Sequence, residues 1–158
     1  MPILSRSEAE DLLYREARLL DDRRFQEWLA MLDENATYWI PCNGEGNDPN
    51  REISLVFDDR QRLTDRIGRL ESGLAHAQNP PSKTKRLVSN VQIENSTENA
   101  ATVLSGFILY ELRRGKERIF AGRYEHCLHL ISGTWKIASK KIVLTNNDEV
   151  IDNLTFIV

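Results

Sequence analysis

Three histidines, two cysteines and a scatter of acids and tyrosines are the side chains through which this 158-residue chain could do chemistry. Cys127-Leu128-His129 has the C-x-H form of half a Rieske iron–sulfur site. Such a cluster needs two Cys and two His, and the other cysteine, in Cys42-Asn43-Gly44-Glu45, does not open the C-x-x-H half. A mononuclear iron site wants two His and a carboxylate converging on one point. His126 and His129, three apart on a strand, point to opposite faces of a sheet, and His76 falls in a loop. No metal spacing fits them, so surface or packing roles are the better reading. Acid–base chemistry would draw on Asp33, Tyr38 and His126, with Tyr124 on the same sheet face as His126, and it needs a group whose pKa burial has shifted. The plainer reading makes Tyr38 and Tyr124 sheet packing residues, Asp33 a charge near the end of the second helix, and His126 hydrogen-bonded structure. Nucleophilic catalysis lacks a G-x-S-x-G, and Cys127, mid-strand, reads as inert core. Lys83, Lys85 and Arg86 make a short basic run that reads as solvated edge charge, or as a contact for acidic residues of a partner. Expected of this chain, then, are no catalytic, cofactor-binding or metal-binding residues of its own.

The elements that would position these residues are legible from periodicity. Ser7-Glu8-Ala9-Glu10 has the form of a capping box with Ser7 as N-cap, and Ala9, Leu12, Leu13, Ala17 and Leu20 follow at helical spacing. Asp21-Asp22 can start a second helix, with Phe25, Trp28, Leu29 and Leu32 on one face. Thr37-Tyr38-Trp39-Ile40 is β-prone and stops at Pro41. Residues 42–51 hold two Gly, three Asn and a Pro, which makes a loop. A short strand over 53–57 precedes a third helix, capped by Asp58 or Asp59, with Leu63, Ile67 and Leu70 inward and Ser72-Gly73 as its stop. After Pro80-Pro81 the period changes to two, and Leu87, Ser89, Val91 and Ile93 share a face. Long strands are predicted over 100–112, 118–131 and 135–144, with turns at Arg114-Gly115-Lys116 and Ser132-Gly133. Residues 151–158 form a short apolar tail, a strand or an interface arm. Trp28, Trp39 and Trp135 fall at core-compatible positions, although aromatics also anchor interfaces. Helices first and a strand meander last reads as α+β, with helices packed on one face of a curved, mainly antiparallel sheet.

The totals agree with one domain over 1–158. Apolar content of 41% and charged content of 28% are ordinary for a globular protein. A net charge of −3, well mixed along the chain, argues against nucleic acid or an anionic membrane as the main partner. No apolar run approaches the ~20 residues of a membrane span, and Met1-Pro2-Ile3-Leu4-Ser5-Arg6 lacks the core of a signal peptide. Two cysteines are too few for a disulfide framework, so a reduced cytoplasm is the expected location.

Several phrases, read in order, carry a family resemblance. They are Leu13-Tyr14-Arg15-Glu16-Ala17-Arg18-Leu19-Leu20-Asp21 with Arg24-Phe25 and Glu27-Trp28-Leu29, and then Tyr38-Trp39-Ile40-Pro41. Next comes Phe57-Asp58-Asp59 with Leu63, Arg66-Ile67 and Arg69-Leu70, followed by Pro80-Pro81-Ser82 with Arg86-Leu87-Val88-Ser89-Asn90. Phe120-Ala121-Gly122-Arg123 and Trp135-Lys136-Ile137-Ala138 complete the set. Together they resemble the small (β) subunit of aromatic-ring-hydroxylating dioxygenases. The resemblance implies a nuclear transport factor 2-like (cystatin-like) cone. It also implies assembly with a large (α) subunit that carries a Rieske cluster and a mononuclear iron, and self-association as a trimer. The assembly would insert both atoms of O2 into an arene to give a cis-dihydrodiol, with electrons from NAD(P)H through separate carriers. Pro80, Pro81, Ser82, Arg86, Ser89 and Asn90 become the candidate subunit-interface residues. Lys83 and Lys85 stand where the family often has Arg, and Gly73-Leu74-Ala75-His76-Ala77 lacks the Trp or Tyr often found there. The alternative is an independent dehydratase or isomerase of the same fold, using Asp33, Tyr38 and His126 in the cone.

Overall fold

The computed structural model describes residues 3–44, 48–147 and 154–158. Helix α1 (Arg6–Asp21) begins two residues earlier than its sequence suggests, because Ser5 rather than Ser7 is the N-cap. Ser5 Oγ accepts from the Glu8 N–H at 3.1 Å, and Glu8 Oε2 accepts from the Ser5 N–H at 2.8 Å. Both Ser-x-x-Glu pairs satisfy the capping pattern. The earlier start also buries Leu4, just before the cap, with Ala9 in the second turn, the arrangement of a hydrophobic staple.

Asp22 ends α1 instead of opening the next helix, and Arg23, with φ of 57°, turns the chain. Helix α2 (Phe25–Ala30) is therefore a single short turn and a half, and Leu32 already belongs to strand β1 (Leu32–Pro41). Asp33 consequently sits on that strand and not on a helix end. Strand β2 (Ser54–Asp59) leads into α3 (Arg60–Ser72). Asp59 Oδ1 caps α3 by accepting from the Arg62 N–H at 2.8 Å, and Gly73, at φ 75°, closes it in the left-handed region that glycine tolerates.

After a short 3-10 turn (His76–Gln78) come β3 (Lys83–Ser96), β4 (Ala100–Arg113), β5 (Lys116–Ile131) and β6 (Thr134–Leu144). The six strands form one sheet in the order β2-β1-β6-β5-β4-β3. Every neighbouring pair is antiparallel except β1 with β6. The β4–β5 and β5–β6 hairpins each close on two residues of positive φ, Arg114-Gly115 and Ser132-Gly133, the turn whose twist matches that of the strands. Helices α1 and α3 pack over β3 and β1, and the core between helices and sheet holds Trp28, Ile40, Leu63, Ile67, Leu109, Ile137 and Ile142. The architecture is the expected α+β one.

Two further expectations change. Leu87 and Ser89 do not share the face of Val91 and Ile93: Leu87 is exposed and Arg86 is buried. The pairing of β3 with β4 slips between Ser89 and Gln92, where Asn90 takes φ of 54°. One extra residue in one strand swaps the faces on either side of it. The described part of the apolar tail, 154–158, is neither a strand nor an arm. It runs into the core of its own chain, where Phe156, Ile157 and Val158 are buried. Residues 151–153 of that expectation lie outside the described residues.

Candidate functional site

The inner face of the sheet carries several buried polar groups beside its apolar ones. On β5 the alternation of side chains turns Tyr124 and His126 inward, with ring centroids 5.5 Å apart. From β6, Lys140 enters in phase with Ile142 and Leu144. From α1, Glu16 enters on the same face as Leu13 and Leu20. These groups meet. His126 Nε2 lies 2.9 Å from Glu16 Oε1, Lys140 Nζ lies 3.2 Å from the same oxygen, and Trp28 Nε1 donates to Glu16 Oε2 at 2.9 Å. Lys140 Nζ also sits 4.4 Å from the centre of the Tyr124 ring, which itself stacks on Phe107 at 4.1 Å.

Burial by itself would drive the Glu16 carboxyl upward. The Lys140 ammonium, the His126 ring and the Trp28 N–H outweigh it and hold the acid well below the usual carboxylate range. An anionic carboxylate can only accept, so His126 Nε2 carries the proton of their shared bond. Burial brings Lys140 down to about 8 against the opposing pull of Glu16. Burial likewise pushes the Tyr38 and Tyr124 hydroxyls up, with the nearby Arg86 charge opposing the rise.

The tail completes the cluster. Lys140 Nζ donates to the main-chain oxygen of Val158 at 2.9 Å, and the Val158 N–H donates to the Tyr38 hydroxyl at 2.8 Å. Arg86 donates to the Ile157 carbonyl and pairs with Asp21, while its own backbone N–H donates to Asp21 Oδ2 at 3.0 Å. Beside it, Ser82 Oγ donates to Glu111 Oε2 at 2.5 Å and Gln78 Nε2 donates to Thr155 Oγ1 at 2.7 Å.

Of the acid–base candidates, Tyr38 and His126 thus share one interior, and Asp33 does not join them. Asp33 Oδ2 lies 3.5 Å from Nδ1 of the exposed His129. The carboxylate that meets His126 is Glu16, which sequence reasoning missed together with Lys140 and the tail. A signal existed: Glu16 interrupts an apolar helix face at helical spacing, and Lys140 interrupts an apolar strand face at spacing two. Among the described residues no group of three or more His, Cys, Asp or Glu is placed to hold a metal ion, and both cysteines are free. Among the candidate interface residues, Ser82 and Arg86 are buried and engaged within the chain, whereas Pro80, Pro81, Ser89 and Asn90 are exposed.

The outer face of the sheet differs in kind. Leu87 pairs with Ile108 across β3 and β4, and Ile108 with Ala121 across β4 and β5; Ile119 stands one row away, opposite Tyr110. Leu87, Ile108 and Ile119 are 66%, 50% and 70% exposed, an apolar patch on an otherwise solvated face.

The model of the family described as ring hydroxylating beta subunit matches residues 15–152. The chain belongs to that family. This β subunit is 36% identical over 143 residues to the small oxygenase component of the p-cumate 2,3-dioxygenase system of Pseudomonas putida, across 89% of this chain and 79% of that protein. It is similar to the crystal structure of the beta subunit of the benzoate 1,2-dioxygenase from Burkholderia mallei, with a TM-score of 0.80 and 27% identity over 99% of this chain and all (100%) of that one. An NTF2-like protein with a cystatin-like fold from Novosphingobium aromaticivorans aligns at TM-score 0.60 and 14% identity, over 89% of this chain and 82% of the other, and shares the fold alone. The cone is therefore the NTF2-like one, and this β subunit is the small component of an aromatic-ring-hydroxylating dioxygenase, an oxidoreductase. No helix among its described residues is long and apolar enough to cross a membrane.

Proposed function

We propose that this β subunit works as one domain over residues 1–158, in the cytoplasm, as a non-catalytic structural partner of a large α subunit. That partner would carry the Rieske cluster and mononuclear iron that cis-dihydroxylate an arene, and this chain would self-associate as a trimer and fix the geometry of the whole. The observation that carries the reading is the use of the cone's own titratable groups. Glu16, His126, Lys140, Tyr38 and Arg86, with Trp28 of α2 donating to Glu16, hold two helices, four strands and the tail to one another. The exposed ladder at Leu87, Ile108 and Ile119 supports the assembly role, since large apolar patches on a soluble chain mark partner surfaces. Pro80, Pro81, Ser89 and Asn90 would border the contact, and Ser82 and Arg86 would act from behind by fixing the start of β3.

The test is recovery of this chain from its native cell extract, with iron analysis and native mass of what accompanies it. A larger iron–sulfur protein in equal copies is the expected result; the chain alone, without iron, would overturn the reading. The acid–base alternative has in its favour the convergence of Tyr38 and His126. Turnover by the purified chain, abolished in His126→Ala, is its test.

A further inference from the structure

One end of the sheet gathers cations, in a chain whose net charge is −3. Lys83 opens β3 opposite Leu112, and next to that pair Arg113 faces Lys116 across the β4–β5 hairpin that Arg114 turns. Lys83, Arg114 and Lys116 are exposed. Neither lysine ammonium has a partner among the described residues. Of the acids on the same hairpin, Glu111 is buried and paired with Arg118 at 2.7 Å, and Glu117 is exposed. Strand alternation puts Lys83 and Lys85 on the outer face with Leu87, so the basic end adjoins the apolar ladder. Surplus positive charge beside exposed apolar surface is complementary to a partner surface that carries carboxylates.

Pro80 and Pro81 stand exposed at this end, and the corner they make is held from two sides. From the hairpin, Arg113 Nε donates to the Pro80 carbonyl at 2.9 Å and Arg114 donates to the Asn79 carbonyl at 3.1 Å. From the interior, Gln78 joins the corner to the tail. Its side-chain oxygen accepts from the Ser82 N–H at 3.1 Å, which fixes the orientation of the amide, since a main-chain N–H can only donate. Its Nε2 then donates to Ser82 Oγ at 2.8 Å and to Thr155 Oγ1 at 2.7 Å. Gln78 and Ser82 are each only 5% exposed. A loop ordered in this way before contact has little freedom left to lose on binding.

We propose that the Pro80-Pro81 corner, with Lys83, Arg114 and Lys116 around it, is a preorganised docking site for an acidic surface of the large subunit, and that Thr155 of the tail braces it through Gln78. The proposal rests on the structural-partner reading given above and adds to it the charge of the contact and the residue that positions it. The tail then acts on assembly from inside, without touching the partner.

The first experiment needs no partner. Hydrogen exchange of the full chain reads the Ser82 amide, which Gln78 protects. Thr155→Val should speed that exchange about fivefold, the worth of one hydrogen bond, and leave the amides of β5 and β6 at the parent's rates. Thr155→Ser, which keeps the hydroxyl, should match the parent. Unchanged exchange at Ser82 in Thr155→Val, or exchange raised equally along the whole chain, would overturn the brace. The second experiment puts Lys83→Glu together with Lys116→Glu into the assembly recovered from native cell extract. With the melt of the chain unchanged, the share found with the larger iron–sulfur protein should fall about tenfold at low salt, and the parent's loss of assembly with rising salt should disappear. Equal recovery of parent and variant at every salt concentration would overturn the docking corner and leave the structural-partner reading standing. A parent chain that brings down no iron–sulfur protein would overturn that reading, and the corner's partner with it.

Discussion

Glu16 is the residue on which the interior turns. It receives His126, Lys140 and Trp28 at once, and so ties α1, α2, β5 and β6 through a single carboxylate. Removing one member of a buried charged pair leaves the other unmatched and costs roughly 3–5 kcal/mol. Glu16→Ala is expected to lose about that much stability, ~3–5 kcal/mol in urea unfolding, with Lys140→Met at the lower end because Trp28 and His126 still satisfy the acid. The pH dependence follows from the same carboxylate. Its folded pKa lies below the ordinary 4.5, so its contribution is fully present above that value and is lost as pH falls through it toward the folded one. A pH series of urea melts should therefore steepen below 4.5, and Glu16→Gln should flatten that region. An unchanged slope in the variant would show that other acids carry the effect.

At the scale of the element, two backbone details decide where faces point. The slip at Asn90 buries Arg86 and exposes Leu87, reversing what strict alternation gives for the first half of β3. Gly122, on β5, is needed for a different reason. A side chain there would collide with the Val143 carbonyl of β6, so the glycine permits close approach of the two strands where β5 meets the end of β6. Gly122→Ala is expected to lower stability by ~1–3 kcal/mol, the range for overpacking a fitted site. A thermal melt within error of the parent would refute that account. Ser5→Ala should cost only about 1 kcal/mol by removing the cap of α1, measurable as loss of helical signal before the main melt.

For the whole molecule, the inner and outer faces of the sheet divide the work. The inner face binds the chain to itself, and the outer face presents an apolar ladder that water alone would not favour. Ile119→Asp together with Leu87→Asp should leave the melt of the isolated chain within ~0.5 kcal/mol, since neither side chain supports the core. Native mass of the assembly should nonetheless shift toward smaller species. Assembly unaffected by both changes would move the contact to another surface, with Ser89 and Asn90 tested next.

The sequence by itself determined the class of fold and the family. Helical spacing over α1 and α3, the change of period after Pro80-Pro81 and the two short turns are local properties, fixed by backbone sterics and by which side chains must leave water. The ordered phrases from Leu13 to Ala138 were equally legible, and the match over residues 15–152 bears them out. The site was readable only in part. His126 and Tyr38 could be singled out because their chemistry is visible in isolation. Their partners could not, since Glu16 lies 110 positions before His126 and Val158 lies 120 after Tyr38. Which acid meets which base, and that the tail turns inward, are settled by closure of the sheet over α1. That closure makes charges far apart in the chain near neighbours in a dry interior, where they must pair or unfold.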